Sequence, residues 1–258
     1  IMHLNLAPDV EDAELNNRGC IGIYSKNRPE WVIAEQACYA YARIPVPLYD
    51  TFNTATVIYL KKMLGASQKT MICSAGHCFD TCIEAKPNCP NLEYLICFDE
   101  VSPDMRRRAE AAGLKVWGMR EVEAVGAKNP KEHHPPGPED IMTFCFTSGT
   151  TGDPKGALVT HKNIASNFSG VVRSSGWHPL PSDVHLSYLP LPHIFERVVQ
   201  YALITQACAM GFYQGDTQKI VEDLIELRPT VFPSVPRLLN RIYDKLIGGV
   251  KEAGESSK

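Results

Sequence analysis

The sequence predicts an α/β protein of layered sheets joined by crossover helices. Three observations carry this. Short apolar runs alternate with segments of helical period, as when parallel strands are joined through helices. The run Ile141 to Phe146 is almost wholly apolar, which suits a strand covered on both faces. Hydrophobic residues make up 44% and charged residues 21% of the 258, an ordinary globular balance. A chain of this length removes roughly 70–75% of its extended surface on folding, enough for a sizeable core.

The elements follow in order. Cys20 to Tyr24 reads as a strand, and Pro29 can open a helix, where its missing N–H costs nothing. Ala34, Ala37, Cys38 and Tyr41 then share one helical face, and Ile44 to Leu48 resumes an extended run. Val57, Leu60 and Leu64 mark a helix over Thr54 to Leu64. Thr70 to Cys73, Glu93 to Phe98 and Leu114 to Trp117 are short strands. From Gly126 to Asp140 the apolar pattern stops in a proline- and histidine-rich stretch, which predicts a linker or loop over 127–140 between a first α/β part, 1–126, and a second, 141–258.

After that break, Gly156 to Thr160 returns from a Gly/Thr-rich turn, so the turn is expected to close a hairpin. Ile164, Phe168, Val171 and Val172 mark a helix, Val184 to Leu189 a strand, and Ile220, Leu224 and Leu227 another helix. Thr230 to Phe232 reads as a last strand, before a helix begun by Pro236 with Leu239, Ile242 and Leu246 inward.

Composition excludes several classes of function. Twenty-six basic against 29 acidic side chains leave a formal charge of -3, which provides no global field for nucleic acid or an anionic membrane. Nine cysteines, an odd number with no signal peptide, argue for free thiols in a reducing, intracellular setting. Cys73, Cys78, Cys82, Cys89 and Cys97 cluster around His77 without paired zinc-knuckle spacing. No formal charge falls between Val198 and Gly215, but Gln200, Gln206 and Gln214 oppose a membrane span, and a buried helix followed by a buried strand accounts for the stretch. Arg106, Arg107 and Arg108 read as a wet helix face, and His133 and His134 as solvated.

The segment that carries chemistry is Thr147-Ser148-Gly149-Thr150-Thr151-Gly152-Asp153-Pro154-Lys155-Gly156. Hydroxyl donors, exposed backbone amides and one lysine suit a polyphosphate, and glycine lets the backbone turn its amides inward. A Walker A loop follows its lysine with serine or threonine to hold a metal, whereas Gly156 follows Lys155 here. His193, between prolines and apolar residues, can donate to an oxyanion. Tyr188, Phe195 and Trp177 at these spacings read as core, with an apolar tunnel wall as the alternative, and Glu196 with Arg197 reads as a solvated surface pair.

The order of the ten-residue segment closely resembles the signature loop of the adenylate-forming superfamily. Gly22 to Trp31, Ile44 to Thr51, Tyr188 to Arg197 and Pro233 to Tyr243 narrow the resemblance to long-chain fatty acyl-CoA synthetases, along essentially the whole chain. The resemblance implies the layered fold of that superfamily's N-terminal domain and a two-step reaction. A fatty carboxylate attacks the α-phosphate of ATP to give an acyl-adenylate, and coenzyme A then displaces AMP. It further implies that Thr147, Ser148, Gly149, Thr150, Thr151, Gly152 and Lys155 contact the ATP phosphates with Mg2+, and that His193 borders the acyl and nucleotide sites. The family's adenine-binding segment, hinge and C-terminal lid domain find no counterpart, so the chain is expected to be an incomplete N-terminal portion, inactive alone. Peripheral association of the parent with a cytosol-facing membrane, of the endoplasmic reticulum or mitochondrial outer surface, is implied only by resemblance. The competing expectations are a non-catalytic nucleotide- or partner-binding module and a ligase for medium-chain or aromatic acids.

Overall fold

The computed structural model describes residues 1–148 and 154–255. In chain order the elements are β1 (Cys20–Tyr24), α1 (Pro29–Ala40), β2 (Ile44–Leu48), α2 (Thr54–Leu64), β3 (Gln68–Cys73), α3 (His77–Ala85), β4 (Tyr94–Cys97), α4 (Pro103–Ala111), β5 (Lys115–Gly118) and α5 (Met119–Lys128). After an irregular stretch come β6 (Ile141–Ser148), β7 (Pro154–Thr160), α6 (His161–Ser175), β8 (Val184–Ser187), α7 (Ile194–Thr205), β9 (Ala209–Phe212), α8 (Ile220–Leu227) and α9 (Pro236–Glu255). The expected layered α/β fold is present.

The first ten elements form a three-layer unit around a parallel sheet of order β2-β1-β3-β4-β5. The two-residue period of the strands divides its core. Ile21 and Ile23 of β1, with Ile72 and Ile96, face Trp31, Ala34 and Cys38 of α1 and Met119 and Val122 of α5. Cys20, Tyr24, Met71 and Leu95 face the other way, onto Val57 and Leu60 of α2, Phe79 and Cys82 of α3 and Ala109 of α4. Trp31 is fully buried, and its indole N–H has no partner among the described residues. That orphan costs about 1–3 kcal/mol, whereas burying some 150–250 Å² of ring contributes about 4–6 kcal/mol, so packing wins.

Local chemistry sets the helix ends. Asn53 Oδ1 accepts from the Thr56 amide at 3.0 Å to start α2, and Ser102 caps α4 ahead of Pro103. Thr160 and Asn163 form a reciprocal capping box at α6, at 3.2 and 3.0 Å. β6 packs beside β2 without joining its ladder. Two of the five β2 residues, Pro45 and Pro47, have no N–H to donate on that edge.

Four details differ from the sequence reading. Ala37 of α1 is exposed, and the inward face is Trp31, Ala34, Glu35 and Cys38, one turn closer to the N-terminus. β8 stops at Ser187, ahead of Pro190. Thr230 to Phe232 makes a single parallel bridge, His185 with Val231, instead of a strand, because Pro229 and Pro233 remove the donors on either side. In α9 the inward residues are Leu238 and Ile242, while Leu239 is 52% and Leu246 65% exposed.

Among the described residues no helix is long and apolar enough to cross a membrane. All nine cysteines are free and buried, and no group of three or more His, Cys, Asp or Glu among the described residues is placed to hold a metal. Burial pushes the Cys78 thiol up to about 11, so its nucleophilic thiolate is scarce at neutral pH. His133 and His134 lie exposed in the stretch after α5, which is tied to α1 by the His134 amide donating to Ala40 O.

Candidate active site

The hairpin forms because a buried strand, β6, returns as an antiparallel partner. Phe146 pairs with Gly156, Thr147 with Lys155 and Ser148 with Pro154. A Cβ on Gly156 would lie 3.0 Å from Phe146 Cε1 and 3.3 Å from Phe144 Cδ1. Glycine therefore lets the two stacked rings, 6.1 Å apart, lie across the hairpin. Their packing anchors the strand inside while Thr147 and Lys155 remain exposed at its mouth, side by side. Gly149, Thr150, Thr151 and Gly152 lie outside the described residues.

His193 is exposed and caps α7, its Nδ1 accepting from the Phe195 amide at 3.2 Å. With Nδ1 acting as acceptor, neutral imidazole carries its hydrogen on Nε2 and can donate it outward. Immediately beyond His193, Ile194 and Phe195 open an apolar cavity of about 470 Å³. Its walls include Phe168 of α6, Trp177 and Val198, and it reaches Val159 on β7, the strand that carries Lys155. The structure thus brings Phe195 and Trp177 to one cavity. Tyr188 is elsewhere, stacked on Phe232 at 5.1 Å with its hydroxyl donating to Ser234 Oγ.

The pair Glu196 and Arg197 overturns the expectation of a solvated surface pair: both side chains are fully buried, and they do not bond each other. Consecutive helical residues point about 100° apart, so each meets its own partner. Glu196 Oε1 lies 2.8 Å from His185 Nε2, while His185 Nδ1 donates to Val231 O at 3.2 Å. Arg197 Nη2 meets Glu35 Oε1 of α1 at 2.5 Å. Burial works to discharge Arg197, but the Glu35 carboxylate and the Tyr201 and Tyr39 hydroxyls outweigh it and hold the guanidinium charged.

Asn27, in the loop after β1, holds the segment leading into His193. Its Nδ2 donates to Leu189 O at 2.7 Å and Ser187 Oγ at 2.9 Å, and its Oδ1 accepts from the Leu191 amide at 3.1 Å. Gln200 Nε2 joins from α7, also at 2.9 Å from Ser187 Oγ. Sequence reasoning missed Asn27, Glu35, Thr143 and Gln200 as supports. The available signal was polar residues on otherwise apolar faces, which in a core demand partners. A second cleft, of about 480 Å³, opens at the carboxyl ends of β1 and β3, where the strand order reverses, and is lined by Lys26, Arg28, Asp50 and His77 among others.

A parallel α/β unit thus leads into the antiparallel pair β6–β7, whose second strand borders an apolar cavity. The chain belongs to the AMP-binding enzyme family, whose profile matches residues 10–257. It is 44% identical over 230 residues to rat long-chain-fatty-acid–CoA ligase 5, covering 88% of this chain and 33% of that protein. It is 41% identical over 232 residues to human long-chain-fatty-acid–CoA ligase 1, covering 88% and 33%. The chain therefore spans about a third of the length of the curated relatives it matches. The adenylation domain of a Segniliparus rugosus carboxylic acid reductase, solved with AMP and a co-purified carboxylic acid, superposes with a TM-score of 0.76. At 22% identity, covering 92% of this chain and 40% of that one, it shows the fold alone.

Proposed function

We propose that this chain supplies the phosphate-gripping hairpin and part of the acyl-chain wall of a long-chain fatty acid:CoA ligase. The observation that carries the reading is the exposed Thr147–Lys155 pair on a hairpin whose second strand borders an apolar cavity starting beside His193. A ligase of this kind must bring a charged phosphate tail and a long apolar tail to one carboxylate, and the two surfaces meet here. The extent of identity to long-chain ligases supports this substrate class.

Phosphoryl transfer to a carboxylate needs little covalent help from protein and much charge control. The Lys155 ammonium neutralises oxygen charge on the β- and γ-phosphates as pyrophosphate leaves. The Thr147, Ser148, Thr150 and Thr151 hydroxyls and the amides of Gly149 and Gly152 orient those oxygens. His193 Nε2–H donates toward the reacting carboxylate, and Phe195 and Trp177 exclude water from the acyl tail. Coenzyme A then takes the acyl group from the adenylate. Mg2+ bound with the nucleotide would add to the neutralisation of phosphate-oxygen charge that Lys155 supplies. The free, buried cysteines support a reducing, intracellular setting, with membrane association of the parent as a further part of the proposal.

The test is ATP–pyrophosphate exchange with palmitate, measured on this chain and on a chain extended to the length of its relatives. Exchange by the extended chain is expected, and Lys155→Ala should lower it about 10- to 100-fold, the equivalent of one charge-assisted bond. Absence of exchange in both unmutated forms overturns the ligase reading; nucleotide binding without exchange would favour a binding module. A series of acid chain lengths separates long-chain from medium-chain or aromatic substrates.

A further inference from the structure

We propose that Arg197 is a positioning residue that fixes the separation between His193 and the phosphate hairpin by bolting helix α7 to strand β6. The inference rests on the ligase reading for its chemistry and on the buried bonds alone for its geometry.

The guanidinium sits where four elements meet. Nη1 donates to Thr143 Oγ1 of β6 at 2.9 Å, Nη2 to Tyr39 OH of α1 at 2.9 Å, and Nε to Tyr201 OH, one turn along α7, at 3.2 Å. The two tyrosine hydroxyl hydrogens then have single destinations. Tyr39 donates to Glu35 Oε1 at 3.0 Å, so the 2.9 Å contact between the two tyrosines is donated by Tyr201. Thr143 Oγ1 accepts from Arg197 while its own hydrogen lies between Pro45 O of β2, at 2.9 Å, and Phe144 O, at 3.1 Å. Burial, with Glu35 close by, holds Tyr39 and Tyr201 above their ordinary values, so both remain donors.

Both ends of this knot lead to the site. Thr143 lies on the strand that runs into Thr147, and Arg197 lies one helical turn beyond His193, the cap of the same helix. Apolar side chains of equal volume would fill the space, and buried ion pairs contribute little net stability over such replacements. Apolar contacts, however, allow a helix to slide along a strand, whereas a planar fork with directional bonds admits one register. A misplacement of about 1 Å between reacting groups costs on the order of 100-fold in rate.

Three variants test this. Arg197→Lys keeps a charge for Glu35 but has no fork to reach Thr143 as well. Thr143→Val removes only the hydroxyl tether. Glu35→Gln with Arg197→Met removes both charges together. In the extended chain, each is expected to lower kcat of ATP–pyrophosphate exchange about 10- to 100-fold, with KM for ATP within about twofold. Full kcat in Arg197→Lys or in Thr143→Val overturns the proposal, whatever the melting temperature, because a merely space-filling role would be rescued. Hydrogen exchange on the 258-residue chain gives a readout independent of catalysis. Thr143→Val should speed amide exchange in β6 and in the first turn of α7 together, and loosening of β6 alone overturns the inference. If the unmutated extended chain shows no exchange activity, the ligase reading falls, and the amide measurement still decides whether Arg197 couples the two elements.

Discussion

Lys61 has its ammonium inside the core of the first sheet, 3% exposed, donating to Gln68 O. Burial pulls its pKa from 10.5 down to about 8. Between those values the unfolded chain binds more protons than the folded one, so this residue makes stability rise with pH across that window. Urea unfolding of the native chain and of Lys61→Met should show the native protein gaining about 1–3 kcal/mol relative to the variant from pH 8 to 10.5; parallel pH profiles would refute it. His193 offers a separation of roles at the same scale. Asparagine caps helices as well as most residues do, so His193→Asn should leave the urea midpoint unchanged. Without the outward Nε2–H, ATP–pyrophosphate exchange in the extended chain should fall roughly 100-fold.

At the scale of elements, β1 is threaded past the segment Ala7–Pro8 at Gly19, where a Cβ would lie 2.2 Å from Pro8 O. That atom is backbone, so it cannot rotate aside as a side-chain tip can. Gly19→Ala is expected to cost about 1–3 kcal/mol and to lower Tm by roughly 2–10 °C, read by calorimetry. Helix α7 shows how an element can contradict its own pattern. Its glutamate and arginine look solvated in a linear reading, since charged side chains are seldom fully buried. Both are at zero exposure because α1, β6 and β8 each bring a polar group to meet them. The aromatic residues near the site divide for the same reason: Phe195 turns to the cavity, while Tyr188 turns to Phe232 and Ser234.

Across the whole molecule, burial is uneven. Strands β1, β3 and β4 lie at the centre of the sheet between two helical layers. Helix α9 meets the rest through Leu238 and Ile242 and leaves Tyr243 63% and Val250 69% exposed. Native-state hydrogen exchange should therefore follow a gradient, slowest in β1, β3 and β4, at the free energy of global unfolding, and fastest along α9. Equal protection in α9 and β3 would contradict this distribution. Self-association through α9 would produce such protection, and its concentration dependence would reveal the cause.

The alternation of strands and helices, the antiparallel return of the chain from β6 to β7 and the family were all legible from the linear chain. Each is written in local terms: apolar period, turn chemistry, and a contiguous run of hydroxyls and glycines. Folding in three dimensions was needed to show that Asn27 anchors the approach to His193, that Arg197 bonds from α7 to β6, and that Leu239 and Leu246 face outward. Those outcomes depend on partners up to 164 positions away in the chain. A helical period fixes which residues share a face, but what meets that face is settled by packing, and a buried polar group costs least where packing supplies its hydrogen-bond partner.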